Sequence, residues 1–290
     1  MNINKQMFIH HLLKDIQSDL KGYNKILKFG KIFSEYNFSD NIIIQIEDSF
    51  DVSLCALLGV YIEKYLKAYN IIIKSSNSKL HNIGFLENFN YERNFTKHSK
   101  LKQYFHIKTK EESKSEVFKE YVNSVILDHK EFPKISKLVK KEIAKSIFEI
   151  FDNANIHSES DKIYICSFLD EKEHELYFSI VDSGIGFAKK LNNYSGKKFS
   201  SENAIKWAIK EGNTTKKQTG GLGFKLIMEF IKLNKGKLQI LSGDCLYEMS
   251  GNEEKYNILD YEFYGSMVNM IFKTNDTNSY KLKIEDDDLF

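Results

Sequence analysis

Residues 149–158 read Glu-Ile-Phe-Asp-Asn-Ala-Asn-Ile-His-Ser, and this stretch decides how the second half of the chain is interpreted. At about 100° per residue, the apolar side chains between Ile143 and Ala154 fall on one side of a helix. Glu149, Asn153 and His157 recur at every fourth position and lie at the margin of that side. The spacing predicts an amphipathic helix over residues 137–158 whose polar margin faces either a cleft or only solvent.

A carboxylate and an amide at such a margin suit phosphate chemistry. Asn153 offers a neutral oxygen to Mg²⁺, an ion that keeps several waters and takes further ligands from phosphates. Glu149, one turn earlier, can orient a water or hydroxyl for attack on a γ-phosphate. The alternative is a pair of solvated side chains without a ligand.

Two glycine-containing stretches follow this helix. Asp182-Ser-Gly-Ile-Gly186 comes directly after the apolar run 175–181, so its carboxylate can accept from an exocyclic amine while the glycines allow a close backbone approach. Residues 219–224, Thr-Gly-Gly-Leu-Gly-Phe, open a second helix and would present free N–H groups to an anion such as a triphosphate. Either stretch alone is also compatible with an ordinary turn.

The order of these three elements resembles the GHKL superfamily of ATPases and kinases. Residues 149–158 resemble its N box, residues 182–186 its G1 box and residues 219–227 its G2 box. The resemblance covers about residues 137–275. It implies a Bergerat-type pocket that binds ATP and Mg²⁺.

The resemblance also implies roles for single residues. Glu149 would be the catalytic base, Asn153 the magnesium ligand and Asp182 the acceptor for the adenine amine. Gly265-Ser266 resembles the final Gly-Thr element near the base, with Ser266 in place of threonine. The other residues expected around the nucleotide are His157, Gly184, Gly186, Thr215, Lys216, Thr219, Gly220, Gly221, Leu222, Gly223 and Phe224.

The order of elements in this half also predicts its fold. A helix, strands over 162–168 and 175–181, a long loop over 187–218, a helix over 224–233, and strands near 237–241 and 267–273 indicate a two-layer α/β sandwich. We expect its helices on one face of a mixed sheet. The long loop corresponds to the ATP lid of the family.

The first half predicts a smaller α/β domain. A strand over 42–46, helical spacing over 52–69 and a strand over 71–74 indicate a parallel pair. The charged segment 108–116 places the boundary between domains 1–116 and 117–290. Residues 38–95 resemble a STAS domain, which implies docking of protein partners. Ser53 lies roughly where STAS antagonists are phosphorylated, or it caps the helix that follows.

The composition excludes several classes of protein. A hydrophobic content of 42%, a charged content of 28% and a net charge of +2 are ordinary, and give no signal for nucleic-acid or membrane binding. Cys55, Cys166 and Cys245 are too dispersed for a zinc site or a disulfide framework. Neither a secretory signal nor a run of about 18 apolar residues is evident. We expect a soluble cytoplasmic protein with buried, reduced thiols.

Three functions fit this sequence. The first is a regulatory ATPase that binds and slowly hydrolyses Mg·ATP to control partner interactions. The second is a serine/threonine kinase of the anti-sigma type acting on a STAS partner, and the third is a nucleotide-gated interaction module without significant catalysis. A phospho-acceptor role for His129 is disfavoured, because it lies too close to the N box for a separate dimerisation hairpin. A homodimer is implied by family analogy only.

The chain ends in an acidic run with two apolar residues, Glu-Asp-Asp-Asp-Leu-Phe, over 285–290. Clustered like charges predict a solvated tail. A docking peptide is the alternative.

Overall fold

The computed structural model describes residues 8–38, 40–89, 102–210, 212 and 223–285. Its helices are α1 (Leu20–Ile32), α2 (Cys55–Leu66), α3 (Ser78–Asn82), α4 (Glu112–Glu120), α5 (Lys137–His157), α6 (Gly186–Ser195), α7 (Ser201–Ile209) and α8 (Gly223–Leu233). Its strands are β1 (Phe8–Leu13), β2 (Asn41–Ile46), β3 (Asn70–Ser75), β4 (Gln103–Lys108), β5 (Lys134–Ile135), β6 (Lys162–Asp170), β7 (Glu175–Asp182), β8 (Lys237–Ser250), β9 (Glu253–Lys273) and β10 (Ser279–Tyr280). The chain is therefore a mixed α/β protein, as the sequence predicts.

The N-terminal lobe is built on a parallel sheet of order β1-β2-β3. The predicted parallel pair β2–β3 is confirmed. α1 connects β1 to β2, and α2 connects β2 to β3, so both connections are the helical crossovers that parallel strands require. The strand β1 was not predicted, because its sequence Phe-Ile-His-His-Leu-Leu lacks a clear alternation of apolar and polar residues.

Ser53 does not cap α2, so the interpretation of Ser53 as an N-cap is wrong. Asp51 precedes the short 3₁₀ turn Val52–Leu54, and its side chain accepts a hydrogen bond from the Ser53 N–H at 2.9 Å. Ser53 itself is buried, and its carbonyl oxygen accepts from the Ser179 hydroxyl of β7 at 3.0 Å. A kinase would reach the Ser53 hydroxyl only after this contact opened.

The second sheet has five strands in the order β4-β6-β7-β9-β8. Every pairing in it is antiparallel, so the expectation of a mixed sheet is wrong. The helices that follow β7 return the chain so that β8 runs in the same direction as β7. However, β9 folds back and occupies the place between them, and β7 and β8 therefore never pair.

Both faces of this sheet are covered. Along β7 the even-numbered side chains Leu176, Phe178 and Ile180 point into a core shared with α5 and α8. Val181 belongs instead to a core shared with the N-terminal lobe, and Tyr177 packs against that core. The expectation of helices on one face is therefore corrected, because α1 and α2 cover the other face.

Polar contacts also join the N-terminal lobe to the sheet. The Gln239 amide of β8 donates to the Ser18 carbonyl at 2.7 Å, and its oxygen accepts from the Tyr23 hydroxyl at 3.2 Å. The α2 backbone passes so close to β4 that a Cβ on Gly59 would lie 2.1 Å from the Tyr104 hydroxyl oxygen. The strand β4 lies upstream of the expected boundary at residue 116, yet it belongs to the C-terminal sheet.

Several element lengths differ from expectation. Part of the expected loop over 187–218 is helical, as α6 and α7. The expected strands near 237–241 and 267–273 are the inner ends of a long hairpin, β8–β9, with an irregular register around Gly243. The helices α5 and α8 and the strands β6 and β7 match their predictions closely.

The three cysteines are free and buried, which agrees with the expectation of buried thiols. Within the part of the chain that the structure describes, no helix has both the length and the apolar character needed to cross a membrane.

Because the two lobes share a core, we predict that they unfold together. Ile44→Ala, in the fully buried centre of β2, should lower the free energy of unfolding by about 2–5 kcal/mol. Trp207 on α7 is the only tryptophan and reports on the C-terminal half. Its fluorescence should show the reduced urea midpoint of Ile44→Ala.

The matched control is Ile72→Ala on β3, where the side chain is 44% exposed and the midpoint should change little. A Trp207 midpoint that is the same in Ile44→Ala and the unmodified chain would show that the lobes unfold independently.

Candidate functional site

The pairing of β7 with β9 fixes the first two residues of the candidate site. Asp182, the last residue of β7, lies opposite Ser266 in register. Since alternate strand residues share a face, Asp182 continues the series that points towards α5. Ser266 does the same on β9, ahead of the buried Val268 and Met270. Two polar side chains thus meet at the end of an apolar sheet face.

The Asp182 carboxyl is 2% exposed and is held by two donors. The Ser266 hydroxyl donates to Oδ2 at 2.5 Å, and the Gly184 N–H donates to Oδ1 at 2.9 Å. Burial raises the pKa of Asp182 from its ordinary value of 3.8 to about 6, against the opposing effect of these hydrogen bonds and of Lys190. Near neutral pH this carboxylate is an acceptor with unused lone pairs.

The turn after Asp182 packs on the end of α5. The Ile185 N–H donates to the Ser158 carbonyl oxygen at 2.7 Å. A Cβ on Gly184 would lie 1.7 Å from that same oxygen, so no other residue fits without moving the helix end. Gly184 therefore serves the approach of the turn to α5.

Gly186 joins this turn to Ser242 within β8 and Gly265 within β9. It has a φ of 70°, and a Cβ here would lie 2.8 Å from the Ser242 hydroxyl. That hydroxyl accepts from the Phe187 N–H at 2.9 Å and donates to the Gly265 carbonyl at 3.0 Å. The start of α6 is thereby fixed beside the Asp182–Ser266 pair.

The helix α5 supplies the third side of the site. Ser136 caps it by accepting from the Val139 N–H at 3.1 Å, and its apolar stripe faces the sheet as predicted. Asn153 is half-buried at the margin of that stripe. A narrow cleft lies between α5, the β7–β9 pair at Asp182 and Ser266, α6 and α8. Its lining residues are Ile150, Asn153, Ala154, Ser158, Ile180, Asp182, Gly186, Phe187, Lys190, Phe224, Ser266 and Val268.

The structure therefore brings together five of the predicted residues in this cleft, namely Asn153, Asp182, Gly186, Phe224 and Ser266. Gly184 lies beside them in the turn. Glu149 lies one turn before Asn153 on α5, is half-buried, and is not a lining residue.

Several predicted residues cannot be placed. Only the backbone of Gly223, at the start of α8, and of His157, at the end of α5, is described. The predicted residues outside the described part of the chain are Thr215, Lys216, Thr219, Gly220, Gly221 and Leu222.

Sequence reasoning missed Phe187 and Lys190. Both lie on α6, within a segment that was interpreted as the lid loop. Lys190 follows Gly186 by one helical turn, and its positive charge acts on the Asp182 carboxyl. Recognition of the helix in Gly-Phe-Ala-Lys-Lys-Leu would have placed a cation at the site.

Among the described residues, no three His, Cys, Asp or Glu side chains are grouped so that they could hold a metal ion. Of the lining residues, Asn153 has the neutral oxygen that suits Mg²⁺, and Asp182 is already engaged by two donors. The donor set thus fits a metal that arrives with most of its ligands.

Because the pKa of Asp182 is raised on folding, the folded state holds this proton more tightly than the unfolded state. Its contribution to stability is present below pH 4 and is lost as the pH rises through about 6. We therefore compare the free energy of unfolding of Asp182→Asn with that of the unmodified chain. We predict that this difference shifts in favour of the variant by about 2–3 kcal/mol when the pH is raised from 4 to 7. Urea unfolding at both pH values measures this difference.

Asp161→Asn, at an exposed position, is the matched control and should show no such gain. If the two variants respond alike, the burial of the Asp182 carboxyl is not the source of the effect.

No protein-family model matches the chain, and no curated protein matches it at a significant level. What the cleft does must therefore be inferred from its own residues. Those residues are the buried acceptor Asp182, the amide of Asn153 on α5, the nearby Lys190, and the apolar side chains of Ile180 and Val268.

Proposed function

We propose that the chain binds Mg·ATP in this cleft in the manner of a GHKL-type ATPase and hydrolyses it slowly. The observation that carries the proposal is the convergence of Asn153, Asp182 and Ser266, which lie far apart in the sequence, on one cleft.

Adenine recognition is assigned to the inner end of the cleft. The Asp182 carboxylate, fixed by Ser266 and the Gly184 N–H, accepts a hydrogen bond from the exocyclic amine. Ile180 and Val268, which pair with each other at the next position on the same sheet face, provide the apolar wall for the flat ring. A buried acceptor of this kind discriminates strongly, because a ligand without the amine leaves its remaining lone pairs without a donor.

The phosphates are assigned to the opposite side, between α5 and the start of α8. The N-terminus of α8 offers N–H groups and the positive end of the helix dipole. Asn153 would hold the magnesium ion, whose other ligands are phosphate oxygens and water. When bound, the ion neutralises phosphate charge. The segment 213–222, which carries the remaining glycines, lies outside the described residues.

Hydrolysis is assigned to Glu149. Its place on α5, one turn from Asn153, supports a role near the γ-phosphate, where it would take a proton from the attacking water. Because Glu149 does not line the cleft, a nucleotide-gated interaction module without significant catalysis is the second candidate function. In that case, ATP would change the affinity for a partner through the lobe that carries α1 and α2, which we interpret as a STAS-like docking domain.

We predict that Asn153→Ala weakens binding of ATP about tenfold in the presence of Mg²⁺ and changes it little in EDTA, because the amide contributes through the metal. Calorimetric titration of ATP with and without Mg²⁺ measures both values. The matched control is Asn155→Ala on the same helix, since Asn155 accepts from the Lys110 N–H outside the cleft. The absence of any measurable heat of ATP binding to the unmodified chain would refute the proposed function.

We predict that Glu149→Ala binds ATP normally but releases phosphate at least tenfold more slowly than the unmodified chain, because the general base is lost. The measurement is a phosphate-release assay on the sample used for calorimetry, with Glu142→Ala, an outward residue of α5, as control. Unchanged turnover in Glu149→Ala removes its catalytic role. With radiolabelled ATP, label on a STAS protein instead of in free phosphate would favour the kinase alternative.

A further inference from the structure

A second cavity lies on the far side of α5 from the nucleotide cleft. It runs between α5 and the segment formed by α4 and the following π-helix, Tyr121–Leu127, and has a volume of about 440 Å³. We call it the basic groove. Phe118, Val122, Ala144 and Phe148 form its apolar floor, and its charged rim consists of Lys119, Lys137, Lys140, Lys141 and Lys145.

The rim carries more positive charge than its neighbours neutralise. Three of the five lysines have acidic partners, as in the Lys140–Asp128 pair at 2.5 Å. Lys137 and Lys141 are exposed, and neither forms an ion pair with another described residue. An apolar floor below such a rim fits an acidic ligand that also carries apolar side chains.

The chain itself supplies such a ligand next to the groove. The strand β10 pairs with β5, immediately before α5. Glu285 then accepts a hydrogen bond from the Ser136 hydroxyl at 2.7 Å, one residue before Lys137. Glu285, the last described residue, therefore lies beside the start of α5, where Lys137 lines the groove.

Length and order also agree. Five extended residues reach about 17 Å, and the α5 axis from Lys137 to Phe148 measures about 17 Å. In the sequence, the three aspartates directly follow Glu285, and Leu289 and Phe290 come last. In the groove, Lys137 and Lys141 lie near the start of α5, and Phe148 lies farther along it.

We propose that residues 286–290 dock in the basic groove of their own chain, with the aspartates on the lysine rim and Leu289 and Phe290 on the apolar floor. The tail then covers α4, the π-helix and α5 from outside. An acidic segment of a second copy would use the same chemistry, so the test must separate the two.

The test uses the full chain with Phe290→p-benzoylphenylalanine, irradiated and analysed by peptide mass spectrometry. We expect intramolecular crosslinks to residues 118–148 whose fraction does not depend on protein concentration. Lys137→Glu with Lys141→Glu should reduce these crosslinks roughly fivefold, because two attractions become repulsions.

The control with the same change in net charge is Lys172→Glu with Lys255→Glu, at exposed positions away from the groove, and it should leave the crosslinks unchanged. Crosslinks that join two chains and rise with concentration would assign the groove to a second copy and overturn the proposal. Crosslinks outside residues 118–148, none at all, or an equal yield from both double variants would also overturn it.

Discussion

The in-register antiparallel pairing of β7 with β9 is the constraint on which the candidate site depends. It sets Asp182 opposite Ser266, and the period of two along each strand turns both side chains towards α5. A slip of β9 by one residue would turn Ser266 towards the N-terminal lobe and separate its hydroxyl from the buried Asp182 carboxyl. The pairing is reinforced by the turn after Asp182, whose glycines allow it to contact the end of α5 and residues Ser242 of β8 and Gly265 of β9.

The same period of two explains why the molecule has two cores around one sheet. Even-numbered residues of β7 face the core that contains α5 and α8, and odd-numbered residues face the core of the N-terminal lobe. The N-terminal lobe is thus structural for the sheet as well as a candidate docking surface. A change in how the lobe packs would be transmitted to β7, which ends in Asp182. This direct path would connect a partner on the lobe to a ligand in the cleft.

The sequence predicts much of this arrangement, for reasons that differ from element to element. Strong helical periodicity made α5 and α8 predictable to within a residue or two. The cover on the second sheet face was missed, although Lys-Ile-Tyr-Ile-Cys-Ser-Phe in β6 is almost continuously apolar, a pattern typical of strands buried on both faces. The antiparallel sheet was missed because the place of β9 between β7 and β8 depends on tertiary packing.

The candidate site was predictable where a motif carried it and not elsewhere. Asp182 and Ser266 were identified through motif resemblance. Their hydrogen bond depends on the pairing of β7 with β9, which the spacing of the two residues does not predict. Lys190 was missed because residues 187–218 were interpreted as one loop, which hid the helical position four residues after Gly186. Helical spacing predicts Glu149 and Asn153 on the same margin of α5. Only Asn153 lines the cleft, which spacing alone does not predict.

The central claim is that a buried carboxylate reads an adenine amine in this cleft. Calorimetric comparison of ATP with inosine triphosphate tests it most directly, because the two nucleotides differ at the group that faces Asp182. The account predicts that ATP binds at least about tenfold more tightly, since a carbonyl in place of the amine leaves the carboxylate without its donor. Equal affinities for the two nucleotides would contradict it.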